Sequence, residues 1–236
     1  MATIKPKERS PNEKLIETLF NRFALAAFPP GHVWIYTPTT WEEHRAGYDA
    51  SLTGPRCRQL LLQFKRPRLT VSGYSSFSPR PQQHERLRHY PPGTAFYVVP
   101  VLRTLEQMQA AQKSGCAPLD FLRNYLAIDI STLPLDFRFV RYGISEIWVT
   151  AQVGKERRHI HAGKWIQGNT LIEKFMAGRL GTTIDAASRT LSMAPGEEVA
   201  DTASPATTSR PIDEVTQGGA NNKPISGLTI LRAIAQ

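Results

Sequence analysis

The stretch GYDASLTGPRCRQLLLQFK, residues 47–65, decides how the chain folds. Two short runs rich in apolar residues flank Thr53-Gly54-Pro55-Arg56, a turn-forming tetrapeptide. The spacing predicts two antiparallel strands, residues 47–52 and 57–65, joined by a hairpin loop. Strand side chains alternate between the two faces of a sheet. Gln63 and Lys65 therefore project together, while Leu62 and Phe64 point the other way. Pairing of the two strands brings the Asp49 carboxylate beside the same polar face. Glu13 or Glu17, upstream, can reach that face from above.

Outward from the hairpin, Ser10-Pro11-Asn12-Glu13 has the form of a capping box, with serine at the cap and glutamate three residues on. Leu15, Ile16, Leu19, Phe20 and Phe23 then recur at helical spacing until Pro29-Pro30-Gly31. Residues 32–37 read as a strand and 40–46 as a short helix. Proline, serine and glycine dominate residues 66–79, which read as a loop, and residues 81–89 form a short helix. A strand over 95–102, helices over 104–113 and 119–126, strands over 137–142 and 146–153, and a helix over 170–177 complete an α/β body. No internal repeat is evident.

The 236 residues divide by composition into a body at 1–192, a linker at 193–224 rich in Ala, Thr, Ser, Pro and Gly, and an apolar segment at 225–236. The linker buries too little apolar surface to offset ordering and is expected to be disordered. Leu228, Ile230, Leu231 and Ile234 share a helical face, so the last segment is either a docking element for this body or a protein partner, or a frayed end. Cys57 and Cys116 match neither a disulfide framework nor zinc spacing, which points to a reducing compartment. The N-terminal residues lack an apolar signal core, and the longest uncharged apolar run, 95–102, falls well short of the ~20 residues of a membrane span. A cytoplasmic protein with no membrane partner is expected. A net charge of +9 favours polyanionic partners.

Asp49 on one hairpin strand, with Gln63, one intervening residue and Lys65 on the next, resembles the motif of the PD-(D/E)xK nuclease superfamily. Glutamine stands where a carboxylate is commoner, and Tyr48 replaces the proline before the aspartate. The order of the helix near residue 13, GYDASL, LLLQFK, PQQHERLRH and AFYVVPV matches that family's core over roughly residues 10–102. The resemblance implies a restriction-endonuclease-like core: a central mixed sheet flanked by helices, followed by the disordered C-terminal tail. It also implies a metal-dependent endonuclease of a restriction or defence type. Asp49, the Gln63 oxygen and the Phe64 carbonyl would hold Mg²⁺ or Mn²⁺ beside a scissile phosphate. Lys65 would orient the attacking water or stabilise the phosphorane, and Glu13 would be an outer, water-mediated ligand. From the residues alone, Asp49 and Lys65 also read as an ordinary cross-strand ion pair with Gln63 on a solvated face.

Arg56, Arg58, Arg66, Arg68, Arg80, Arg86 and Arg88 crowd residues 54–90 against one acid, Glu85, as suits a phosphate backbone, with DNA ahead of RNA. Tyr74 and Phe77 in that segment either stack on unpaired bases or anchor the loop in the core. His159 and His161 share a strand face but lack a third ligand nearby, so a solvated basic strand end is the simpler reading. Serine and cysteine hydrolase patterns and phosphate-cradling glycine loops are missing. The rival to hydrolysis is a non-catalytic nucleic-acid-binding or adaptor module on the same fold.

Overall fold

Asn12, not Ser10, starts the first helix, α1 (Glu13–Ala26): its side chain accepts the Leu15 N–H at 2.7 Å. The Ser10 hydroxyl instead donates to the Pro67 carbonyl at 2.9 Å, and a Glu13 carboxylate oxygen receives the Arg66 N–H at 3.2 Å. The expected capping box is thus not formed. Both its members tie the start of α1 to the chain just past Lys65. In this computed structural model the described residues are 9–69, 74–143, 149–161 and 164–187. All of them belong to one unit, Met1–Pro195. The linker expected at 193–224 and the segment at 225–236 lie outside the described residues.

β1 (Trp34–Tyr36), β2 (Ala50–Gly54) and β3 (Arg58–Phe64) form an antiparallel meander, with α2 (Thr40–Ala46) between the first two. The chain then crosses through β4 (Arg68–Leu69), β5 (Ser75–Phe77) and α3 (Pro81–Arg88) to β6 (Ala95–Pro100), which pairs with β3 in parallel. After α4 (Leu105–Lys113) and α5 (Pro118–Leu122), β7 (Tyr125–Asp129) runs antiparallel to β6. β8 (Phe137–Tyr142), β9 (Val149–Val153) and β10 (Glu156–Ile160) follow, then β11 (Trp165–Gln167), α6 (Gly168–Met176) and β12 (Thr182–Thr183). Among the described residues these strands make a seven-stranded mixed sheet, ordered β1-β2-β3-β6-β7-β11 with β12 against β3, and a five-stranded sheet ordered β10-β9-β8-β5-β4.

The seven-stranded sheet is covered on both faces, which explains why β3 reads as an unbroken Leu60-Leu61-Leu62 run. Leu60, Leu62 and Phe64 pack with residues of α1, α5 and α6. Phe20 of α1 meets the rings of Phe64 at 5.5 Å and Tyr125 at 5.2 Å, edge-on, worth about 0.5–1.5 kcal/mol per pair beyond area burial. On the other face Leu61, Tyr97 and Val99 pack against Phe77, Val140 and Ala151 of the second sheet. The protein is a mixed α/β fold whose central sheet is flanked by helices.

Several elements differ from the expectations. The first hairpin strand is shifted to Ala50–Gly54, and Pro55–Cys57 form the turn. The helix expected over 119–126 stops at Leu122, because the apolar residues from Tyr125 onward complete β7 in the sheet centre. Residues 66–79 are not all loop: β4 and β5 pair within the second sheet, where Ser75 and Phe77 are buried against Tyr142 and Val140. The strand expected over 146–153 is described from Val149, residues 144–148 lying outside the described set. No helix among the described residues is long and apolar enough to cross a membrane.

Candidate functional site

Pairing continues one step past Ala50↔Leu62, since the Asp49 N–H reaches the Leu62 carbonyl at 2.9 Å. Asp49 therefore stands opposite Gln63, and the hairpin brings the two side chains together. At the end of β3 the Lys65 N–H bonds the Val98 carbonyl at 3.0 Å, continuing the parallel pairing with β6. Lys65 thereby emerges on the same face as Gln63.

A chain of side-chain hydrogen bonds runs through this point. Lys65 Nζ donates to Gln83 Oε1 at 2.8 Å, Gln83 Nε2 donates to Gln63 Oε1 at 2.6 Å, and Gln63 Nε2 donates to Asp49 Oδ2 at 2.6 Å. The two ends fix the direction of both amides. An ammonium only donates and a carboxylate only accepts, so each glutamine must turn its oxygen toward Lys65 and its nitrogen toward Asp49. Asp49 Oδ2 takes a further bond from the Phe64 N–H at 2.7 Å, and Gln63 Nε2 also lies 3.3 Å from the Phe64 carbonyl. An acid and a base are thus held about two amides apart rather than in the direct ion pair that a simple cross-strand reading gives.

Burial shapes both charges. Gln63 and Lys65 are buried. Desolvation pushes the Asp49 carboxyl up to about 7, against the opposing pull of Lys65 and the Phe64 N–H. Desolvation likewise lowers the Lys65 ammonium below its usual range, while Glu13 and then Asp49 hold it up. The Lys65 Nζ lies 5.8 Å from the centroid of the Tyr97 ring. Tyr97 is itself held by His84, whose Nδ1 is 3.2 Å from the tyrosine oxygen and whose Nε2 is 3.0 Å from the Pro134 carbonyl. A carbonyl only accepts, so Nε2 carries a proton.

Burial drives the His84 pKa from 6.5 down to about 4. Since the unfolded chain binds this proton and the folded one does not, the contribution is complete above pH 6.5 and is lost as pH falls toward 4. The loss is at most roughly 3 kcal/mol. The slope of Tm against pH between about 7 and 5 should be shallower in His84→Gln than in the wild type. Equal slopes would place the proton linkage elsewhere.

A groove of about 1020 Å³ opens beside the site, with Arg9, Ser10, Glu13, Lys65, Arg66 and Arg68 in its walls. Lys65 borders it; Asp49 and Gln63 do not. Glu13, expected as an outer ligand, faces this groove while bonded to the Arg66 N–H. The seven arginines separate. Arg66 and Arg68 line the groove, the charge of Arg80 acts on Lys65, and Arg86 packs beside Gly47. Arg88 acts on His84 instead. Arg56 and Arg58 sit at the hairpin tip, roughly 23 Å along the strand from Lys65. The Arg58 guanidinium is bonded to the carbonyls of Leu180 and Gly181, which fastens β12 to β3. Phe77 is a core anchor, its ring 5.3 Å from that of Tyr97, whereas Tyr74 is 39% exposed.

Gln83 is the site residue that sequence reasoning missed. The helix carrying it was legible, but Gln82 and Gln83 are chemically alike, and only packing leaves the first exposed and turns the second to the site. Among the described residues no group of three or more His, Cys, Asp or Glu side chains gathers as a metal cluster. His159 and His161 have ring centroids 5.7 Å apart. Comparison of the chain with protein-family models, with curated proteins and with solved structures finds no match.

Proposed function

We infer that the chain is a metal-dependent nuclease with a restriction-endonuclease-like core, hydrolysing nucleic-acid phosphodiesters. The observation that carries this reading is the convergence of Asp49, Gln63 and Lys65 through one hydrogen-bonded chain whose Lys65 end borders a groove that also holds Arg9, Arg66 and Arg68. The topology around them supports it: a helix, an antiparallel β1-β2-β3 meander, a helical crossover and a strand parallel to β3.

The donor set fits Mg²⁺ or Mn²⁺. Asp49 Oδ2 and the Phe64 carbonyl both converge on one partial positive charge, the Gln63 amide nitrogen, at 2.6 and 3.3 Å. Hard oxygens that share one N–H₂ group are placed to share a hard cation. Asp49, the Phe64 carbonyl and the Gln63 oxygen, once its amide ends exchange, would hold the ion. When bound, it supplies Lewis-acid charge beside the scissile phosphate. Exchange of the Gln63 ends obliges Gln83 to turn as well, which takes its oxygen away from Lys65. Lys65 is then free to donate to a phosphate oxygen or to orient a water at the groove wall. Glu13 lies close enough to favour the charged form of Lys65 against the burial that lowers it.

Incubating the full chain with labelled single- and double-stranded DNA and RNA tests the reading. Cleavage is expected with Mg²⁺ or Mn²⁺ and none with EDTA. One observation favours a second reading, a non-catalytic nucleic-acid module: the Gln63 oxygen is committed to Gln83 rather than turned to Asp49. Binding without cleavage across several divalent ions would select that reading and discard hydrolysis.

A further inference from the structure

The second sheet collects basic residues that lie far apart in the chain. Its register sets Arg68 opposite Ser76, Ser76 opposite Arg141, Arg141 opposite Thr150 and Thr150 opposite His159. Directly opposed residues share a face. One polar row therefore crosses all five strands, about 19 Å at the usual strand spacing. A second row on that face holds Phe139, Gln152 and Arg157. The opposite face carries Phe77, Val140, Ala151 and Tyr142, Val149, Ile160, which are buried toward the seven-stranded sheet. A bulge between Phe137 and Phe139 makes this division possible: it turns Phe137 into the core, leaves Phe139 on the polar face and exposes Arg138.

We propose that this polar face of the five-stranded sheet binds single-stranded nucleic acid. Charge complementarity argues for a polyanion. The two rows contain three arginines, one histidine and no acid, and among the described residues none of Arg68, Arg141 and Arg157 makes an ion pair. Phe139 and Arg141 argue for unpaired bases: the Arg141 guanidinium lies over the half-buried Phe139 ring at 5.2 Å, and that planar cation, backed by the ring, is the surface on which a base can stack. Ser76, Thr150 and Gln152 supply neutral donors and acceptors between the cations. A duplex would present only phosphates to so flat a surface and leave this stacking pair unused. Arg68 belongs to both this face and the groove beside Lys65, so a strand bound on the face can reach that groove. Binding here requires neither Asp49 nor a dication and stands apart from the hydrolytic reading.

Fluorescence anisotropy on the full chain in EDTA, with labelled DNA and RNA strands of about twelve nucleotides and the matching duplex, tests the proposal. The single strands are expected to bind more tightly than the duplex. Their log K should fall with log salt at a slope of about −2 to −3, as three or four phosphate contacts give. Arg141→Gln with Arg157→Gln should weaken the single strands by about tenfold or more, and Phe139→Ser by several-fold, with Phe139→Tyr retaining affinity. Arg157→Gln alone, at an exposed position, serves if Arg141→Gln fails to fold. Unchanged affinity in the folded variants overturns the proposal. So does a preference for duplex, or binding to phosphatidylserine vesicles but not to oligonucleotides.

Discussion

Asp49→Asn is expected to abolish Mg²⁺-dependent cleavage, a loss of about 10³-fold or more, and Lys65→Met to do the same. Asparagine keeps the shape and can still accept the Phe64 N–H, but it removes the only full negative charge in the hydrogen-bonded chain. A hard dication then meets neutral oxygens alone. Methionine at position 65 fills the volume of the lysine stem without the ammonium. It leaves Gln83 Oε1 without its donor, at a cost of about 1–3 kcal/mol to stability. Initial cleavage rates read beside thermal unfolding separate the two effects. Rates equal to wild type in both variants would remove Asp49 and Lys65 from the chemistry; lost activity with an intact melting transition is the expected pattern.

Gly168→Ala should destabilise the fold by about 3 kcal/mol, lowering Tm by roughly 6–12 °C. Gly168 is the first residue of α6 and is buried. A Cβ there would stand 2.5 Å from the Leu122 carbonyl oxygen and 3.1 Å from the Tyr125 Cβ. The first of these is backbone at the end of α5 and cannot swing aside. The helix must therefore move away from the core shared by Phe20, Phe121 and Leu171. Gly31→Ala is the contrast: its φ is +83° but nothing lies within 4 Å, so only backbone strain of about 1–2 kcal/mol applies. A smaller loss at Gly168 than at Gly31, measured by thermal or denaturant unfolding, would mean that α6 does not rest against α5 as closely as described.

Much of the site's first layer was legible because it depends on local period. A strand alternates its side chains whatever it pairs with, so Gln63 and Lys65 on one face and Leu62 and Phe64 on the other follow from residues 57–65. The tight turn near Gly54 then brings Asp49 opposite Gln63. Helix α1 was legible from its apolar stripe, although its cap was not, since Ser10 and Asn12 offer similar oxygens and only the approach of Pro67 draws Ser10 away.

By itself the sequence determined the element types over most of the body, the hairpin that brings Asp49 beside Gln63, and the positive balance of charge. Tertiary structure alone decided that Gln83, eighteen residues beyond Lys65, closes the chain of hydrogen bonds. It alone paired β5 with β8 and so set Arg68 and His159 on one face. The physical reason is that local pattern states which face of each strand must be buried but not against what. Partner and register are chosen only when both faces of the seven-stranded sheet are covered at once, and that choice is made by residues far apart in the chain.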